Sequence, residues 1–344
     1  MATDEVRTVL LTGASGVIGR AVLDALEGKR VYALRHRSTA ASRENVTWIQ
    51  GDVTDPDLGL GESYPGLAHE VDRVVHVAAA VEFDSTGHDI DRTNRLGTSH
   101  VVDFARAANA GMIHLSSAFV NRRSQARSVT GTGCADGRDA YLCSKVGGEE
   151  VVRTSGVPYA ILRPSLLIGD SRTGEIARHQ GLHAFLGAFA KGVLPFVPFP
   201  PETRIDFVPQ DVVAGAVARL IDSELIGAEY WITAGEHAVT AREMMDAVHR
   251  ALGAAGQTAV TPRFFATEAV QRLLQPAFFG SLDGKARNKF EQLLAVASLV
   301  CEDRFPSDLG TGAFAGIGLT AEESGHLVEK TVNRYWVPRV PEVA

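Results

Sequence analysis

One stretch, Thr8-Val9-Leu10-Leu11-Thr12-Gly13-Ala14-Ser15-Gly16-Val17-Ile18-Gly19-Arg20, constrains this chain more than any other. A short apolar run of strand-forming residues stops at glycines 13, 16 and 19, and an apolar-periodic segment from Val17 to Leu26 follows. The order is strand, tight turn, helix. Gly13 suits a turn that needs unusual φ/ψ. Gly16 removes a side chain where a pyrophosphate approaches, and Gly19 permits close packing of helix on strand. The helix N-terminus offers unpaired N–H groups and a positive dipole end to phosphates. The spacing points to a dinucleotide site in which Thr12, Ser15, Val17 and Ile18 complete the turn.

Further strands are expected at Arg30–Leu34, Thr47–Gln50, Arg73–Val77, Met112–Ser116 and Tyr159–Arg163. Helices are expected between them, including one from about Asp89 to Ala108 and another from Tyr141 to Arg153, where Gly147 and Gly148 suggest close packing against a neighbour. This alternation specifies an α/β fold, a Rossmann-type doubly wound parallel sheet with right-handed crossovers. The second strand ends in Arg35-His36-Arg37. A carboxylate there would bind a ribose 2′-hydroxyl, whereas Arg35 and Arg37 suit a 2′-phosphate, so NADPH is expected over NADH. Asp52 and Val53 follow the third strand, within reach of an adenine. The small residues Ala78, Ala79 and Ala80 follow the fourth and let backbone approach a flat ring system.

The alternation ends at Pro164. Residues 1–168, with elements from about 204–235, are read as the cofactor domain; 169–203 and 236–344 are read as a smaller, mostly helical substrate lobe over the cofactor cleft. His179 to Lys191 has helical periodicity, and the proline-rich loop Gly192–Pro201 carries Phe196, Val197 and Phe199, which suit either a substrate wall or the core. A helix opens at Val208 and runs to about Ile221, a late strand lies at Tyr230–Thr233, and Thr240 with Glu243 forms a capping box. Residues 262–337 read as mostly helical, with the apolar 263–300 part as core rather than membrane surface.

The net charge of −7 argues against nucleic acid or an anionic membrane as the main partner. No apolar run approaches the ~18–20 residues of a membrane span. There is no leader at the start of the chain, and Cys134, Cys143 and Cys301 have no metal-site spacing, so reduced cysteines and a cytoplasmic setting are expected. His179 and His183 are four apart, but no third ligand lies nearby in sequence, and no metal is expected.

The chemistry centres on Tyr141-Leu142-Cys143-Ser144-Lys145. Residues i and i+4 share a helix face, so the Lys145 ammonium is expected beside the Tyr141 phenol, lowering its pKa for proton transfer. Ser117, at the end of the fifth strand, is placed to hydrogen-bond a reacting carbonyl oxygen. Asn94 is placed to order a water or the lysine, or is an ordinary helix-face amide. Cys143, two residues from Tyr141, faces elsewhere and is given no redox role.

With these residues in view the chain resembles an extended short-chain dehydrogenase/reductase. Within that family it is most similar to the thioester-reductase and fatty acyl-CoA reductase branch, which includes the reductase domains of carboxylic acid reductases and nonribosomal peptide synthetases. The resemblance is carried by residues 12–20, Gly51-Asp52-Val53 with Leu58-Gly59-Leu60, His76-Val77-Ala78-Ala79, Asn94 with Gly97-Thr98, and Ser116-Ser117-Ala118-Phe119-Val120. It continues through Tyr141 with Ser144-Lys145, Arg163-Pro164-Ser165, residues 169–175, and Asp206-Phe207-Val208-Pro209 with Asp211. It spans roughly residues 7 to 250; the C-terminal lobe matches poorly. It implies NADPH-dependent reduction of an acyl thioester, on coenzyme A or an acyl carrier, to the aldehyde, with the step on to the alcohol left open. It implies that Ser117 and Tyr141 stabilise the oxyanion, Lys145 holds the nicotinamide ribose, Arg20 contacts phosphate, and Pro164 and Ser165 line the cofactor site. The stretch carries no adenylation or carrier domain, so a carrier-bound thioester would be met in trans. The alternatives are a ketone or aldehyde reductase or a nucleotide-sugar epimerase or dehydratase on the same scaffold, and a non-enzymatic dinucleotide sensor, against which the intact Ser117, Tyr141 and Lys145 set argues.

Overall fold

The computed structural model describes residues 6–36, 43–81, 87–121, 137–194, 196–257, 261–266, 269–270, 284 and 304–337. The chain divides into two compact units. The first takes the described residues of Met1–Ser165 with Gln210–Thr233 and Ser307–Gly318; the second takes those of Leu166–Pro209, Ala234–Pro306 and Leu319–Ala344.

The first unit is built on a seven-stranded sheet: β1 Thr8–Thr12, β2 Arg30–Arg35, β3 Val46–Gln50, β4 Arg73–His76, β5 Gly111–Leu115, β6 Tyr159–Pro164 and β7 Ala228–Ile232. The spatial order is β7-β6-β5-β4-β1-β2-β3, and every pairing is parallel. All of β1 is buried, as expected of a central strand covered on both faces. Chain order reverses between β1 and β4, so the carboxyl ends of these strands flank the crevice where doubly wound sheets bind ligands. Helices α1 Val17–Ala25, α2 Ser63–Glu70, α3 Gly87–Asp91, α4 Gly97–Ala107 and α5 Gly137–Arg153 connect them. One core cluster packs Leu10, Val74, Met112 and Ile161 of the sheet against Val101 and Phe104 of α4. The helix Gln210–Ile221 packs on α1, and Asp222 just beyond it accepts from the Val6 amide and the Lys29 ammonium.

The expected helix from about Asp89 to Ala108 is present, running from Gly87 to Ala107 with a π-helical turn inside it. Between α3 and α4, Arg92–Leu96 forms a π-helical turn. Thr98 donates from its hydroxyl to the Asn94 carbonyl at 2.7 Å, one helical turn back, and such bonds compete with the regular ladder. The anticipated close packing at the paired glycines is found there. A Cβ on Gly148 would stand 2.8 Å from the Asn94 carbonyl oxygen, and one on Gly147 2.6 Å from Arg95 Cδ.

In the second unit, Phe196, Val197 and Phe199 are buried among Phe185, Phe189 and the helix Ala241–Ala254, so this loop belongs to the core and is not a wall. The capping box at Thr240 and Glu243 forms as expected, and a second closes the start of helix Ala321–Tyr335 with Thr320 and Glu323. Among the described residues of 262–337, Ala269, Val270, Gly284 and a 3-10 turn at Gly312–Phe314 are helical as well; Arg263–Phe264 is instead a two-residue strand paired with Phe196–Val197. The polar stretch 169–174 closes on itself. Asp170 Oδ1 accepts from the Arg172 and Thr173 amides, and the Ser171 carbonyl takes the Lys330 ammonium at 2.7 Å.

Because the Asn94 carbonyl cannot retreat from a methyl group without moving the π-helical turn, Gly148→Ala is expected to destabilise by roughly 1–3 kcal/mol despite alanine's better helix propensity. Thermal unfolding checks this; a midpoint at or above that of the parent protein would contradict the packing account.

Candidate active site

The glycine turn forms at the crevice. Gly13 has φ +71°, and a Cβ there would lie 2.5 Å from the Ala78 amide nitrogen. A Cβ on Gly19 would lie 2.1 Å from the Gly13 carbonyl oxygen. Both positions exclude any side chain. Gly16 is exposed and opens α1 without a side-chain cap. Ser15 offers its carbonyl to Arg20 Nε at 3.1 Å, which folds this exposed arginine back over the turn. Thr12 is fully buried; its hydroxyl bonds to His76 Nδ1 at 2.7 Å and accepts from the Ala78 amide at 3.3 Å, tying the turn to the loop after β4.

At the β2 end, Arg35 Nε is buried and has no hydrogen-bond partner among the described residues. Arg37 lies outside the described residues. Asp52 accepts from the Thr54 amide at 2.8 Å, and its other oxygen lies 3.2 Å from His36 Nε2. Burial pushes its carboxyl up, but the Thr54 bonds together with His36 and Arg92 outweigh this and leave it below the usual carboxylate range. Val53 is buried, and its carbonyl bonds to His100. Ala78, Ala79 and Ala80 are partly exposed.

Ser117 follows β5, and its hydroxyl accepts from the Phe119 amide at 3.3 Å and hydrogen-bonds Tyr141 on α5. Burial raises the Tyr141 pKa, and the Ser117 bond lowers it in part. This corrects the expectation of a phenol made acidic by Lys145. The lysine instead turns to β5, donating to the Leu115 carbonyl at 3.0 Å. Lys145 is only 5% exposed; burial brings its pKa down to about 8, against the opposing pull of Glu149. An ammonium has three donors, and here one protein acceptor is found.

Asn94 is 2% exposed and its amide is committed to the protein. Oδ1 accepts from the Ala80 amide at 2.7 Å, and Nδ2 donates to the Ala80 carbonyl and to Ser144 Oγ, each at 2.9 Å. Ser144 in turn donates to the Tyr141 carbonyl at 2.7 Å. Asn94 therefore joins the loop after β4 to α5. At the end of β6 the Pro164 carbonyl accepts from the Ala118 amide, and Ser165 Oγ is buried without a partner.

Two groups that sequence reasoning missed hold this arrangement. Glu149, on α5 one turn beyond Lys145, accepts two bonds of 2.8 Å from Arg163 on β6 and one of 2.6 Å from Arg153. Both arginines also bind Glu229 of β7, and Arg163 lies over the Trp231 ring. The i,i+4 spacing of Glu149 and Arg153 was the available signal. His76 is the second, named in sequence only within the His76-Val77-Ala78-Ala79 stretch of the resemblance and given no role there.

Cys143 is disulfide-bonded, which corrects the expectation of reduced cysteines; Cys134 and Cys301 lie outside the described residues. His179 and His183 stack at 5.2 Å between ring centroids. Among the described residues no group of three histidine, cysteine or acidic residues could hold a metal, and no helix is long and apolar enough to cross a membrane.

Comparison with known proteins agrees with this geometry. The family model described as Male sterility protein, an NAD-binding family, matches residues 23–217. The polyketide synthase-nonribosomal peptide synthetase ffsA of Aspergillus flavipes is 28% identical over 280 residues, covering 73% of this chain and 7% of that protein. The chain thus spans a small fraction of the curated relatives it matches. Among solved structures, the terminal R domain of the myxalamid PKS-NRPS pathway superposes with a TM-score of 0.74 at 23% identity, covering 98% of this chain and 94% of that one. A thiolation-reductase di-domain from an archaeal non-ribosomal peptide synthetase gives 0.69 at 17%, covering 96% and 76%. The chain belongs to the Male sterility protein family.

Because Lys145 is the buried cation of the site, dinucleotide affinity is expected to fall as pH rises through about 8 and the ammonium discharges. Glu149→Gln removes the charge that favours the ammonium and is expected to move that fall to lower pH. Fluorescence titration across pH checks this; an unmoved midpoint would remove Glu149 from the electrostatics of Lys145.

Proposed function

We propose that this protein is an NADPH-dependent reductase of acyl thioesters, yielding the aldehyde and a free thiol. The observation that carries the reading is the Ser117–Tyr141 hydroxyl pair, with Lys145 one turn along α5, beside the crevice between β1 and β4. The groups present fit the dinucleotide. The glycine turn and uncapped α1 suit its pyrophosphate, the unpartnered Arg35 Nε suits a 2′-phosphate, and Lys145 keeps donors for ribose hydroxyls. The buried, unpartnered Ser165 hydroxyl adds a further polar contact.

Bound NADPH supplies the hydride that reduces the carbonyl carbon. Ser117 and Tyr141 donate hydrogen bonds to the oxygen as it gains negative charge, and Tyr141 passes it a proton. A phenol that burial keeps protonated suits that direction of transfer. The hemithioacetal of the substrate then loses its thiol as the C–S bond breaks, leaving the aldehyde. Asn94 and Ser144 hold the backbone around Tyr141 while this happens.

The relatives carry polyketide and nonribosomal peptide synthetase names, and one structural neighbour pairs a thiolation domain with a reductase. These support a thioester presented by a carrier domain. Purified protein given NADPH and a panel of acyl-carrier thioesters, acyl-CoA and free aldehydes or ketones is expected to oxidise cofactor with thioesters and release thiol. Consumption with ketones or aldehydes alone would place the protein among the simple carbonyl reductases. Tyr141→Phe is expected to lower turnover by about 10²-fold or more with NADPH binding nearly intact, and parent-like turnover would exclude the phenol from proton transfer. Arg35→Ala is expected to weaken NADPH far more than NADH; an equal loss would overturn the 2′-phosphate assignment.

A further inference from the structure

A run of buried hydrogen bonds crosses the site behind the groups just described. His76 ends β4 at the register position beside Thr12, the last residue of β1, and is 1% exposed. Its Nδ1 lies 2.7 Å from Thr12 Oγ1 and its Nε2 3.1 Å from Thr98 Oγ1. The proton count sets the sense of each bond. Thr98 spends its single hydroxyl proton on the Asn94 carbonyl at 2.7 Å, so it accepts from His76 Nε2–H. Nδ1 is then bare and accepts the Thr12 proton, and the Thr12 oxygen accepts the Ala78 amide at 3.3 Å. The ring must be neutral to serve both bonds. Burial, with the Lys145 charge nearby, pushes its pKa down to about 3. His114 stacks on it at 5.3 Å, its own pKa held well below the usual imidazole value by burial and by His76, Lys145 and Arg153.

One branch from His76 thus reaches the glycine turn through Thr12. The other reaches the Asn94 carbonyl, whose residue binds Ala80 and Ser144, and Ser144 binds the Tyr141 carbonyl. We infer that His76 is a positioning residue: its two bonds of opposite sense hold the dinucleotide-binding turn and the Tyr141 helix in fixed relation. The inference rests on the reductase reading only where turnover is measured.

Two near-isosteric variants separate the branches. The amide oxygen of His76→Asn can take the place of Nδ1 and keep the Thr12 branch. The amide nitrogen of His76→Gln can take the place of Nε2 and keep the Thr98 branch. His76→Gln is expected to speed backbone hydrogen exchange in residues 12–20 and to weaken NADPH binding without substrate by about tenfold, since Thr12 is left buried without its acceptor. His76→Asn is expected to leave NADPH binding close to that of the parent, to speed exchange in residues 92–98 and 140–146, and to cause the larger loss in kcat. Exchange that rises equally in both segments in both variants, or in neither, would reduce His76 to a core residue and overturn the inference. Should either variant fail to fold, ring nitrogen-15 spectra of the parent decide: the Nε2–H tautomer at neutral pH is expected, and the Nδ1–H tautomer or a charged ring would overturn it. Absence of thioester turnover in all three proteins would retire the reductase reading and leave exchange and NADPH titration to judge His76.

Discussion

The first unit depends on how closely two loops approach at the point where strand order reverses. Gly13 lies so near the backbone after β4 that a methyl group would fall 2.7 Å from the Ala78 Cα. No rotamer relieves such a contact, because the obstacle is main chain. The approach brings the last residues of β1 and β4 side by side and aims the uncapped start of α1 into the crevice. It also lets a threonine and a histidine meet where an ordinary sheet would pack two apolar side chains.

The reacting groups are held by polar bonds inside the protein. Helix α5 meets the π-helical turn at Gly148, β5 at Lys145, and β6 at Glu149. Burying an ammonium and a set of carboxylates and guanidiniums costs free energy unless each is paired. Glu149 is paired by two arginines, which anchors the helix while Lys145 keeps donors to spare. The lysine's lowered pKa follows from its burial, which outweighs the pull of Glu149. A site that kept every cation fully paired would have less to offer an anionic cofactor.

Much of the scaffold was legible from periodicity and turn chemistry. The glycine turn, the alternation of strands and helices and the capping box at Thr240 are local signals, and each appears in the structure at or within a few residues of its expected place. The hydrogen bond between Ser117 and Tyr141 agrees with their placement at a strand end and on the following helix. What sequence could not disclose is non-local. The π-helical turn carries a threonine back-bond and lies against a glycine about fifty residues away, and neither alters helical periodicity. The direction of the Tyr141 shift depends on burial and on Lys145 turning to a β5 carbonyl, whereas i+4 spacing shows only proximity. His76 reads as an oddity in an apolar strand until its partners on two other elements are known.

The central claim is that the crevice brings a nicotinamide to a thioester carbonyl held by Ser117 and Tyr141. Isotope transfer tests it most directly. NADPH carrying deuterium on the transferring face of C4 is incubated with the protein and an acyl-carrier thioester, and the product is examined by mass spectrometry. The account predicts an aldehyde labelled at its carbonyl carbon, one deuterium for each thiol released. Thiol release without label in the aldehyde would contradict it, because the thioester would then be opened by a reaction other than hydride transfer.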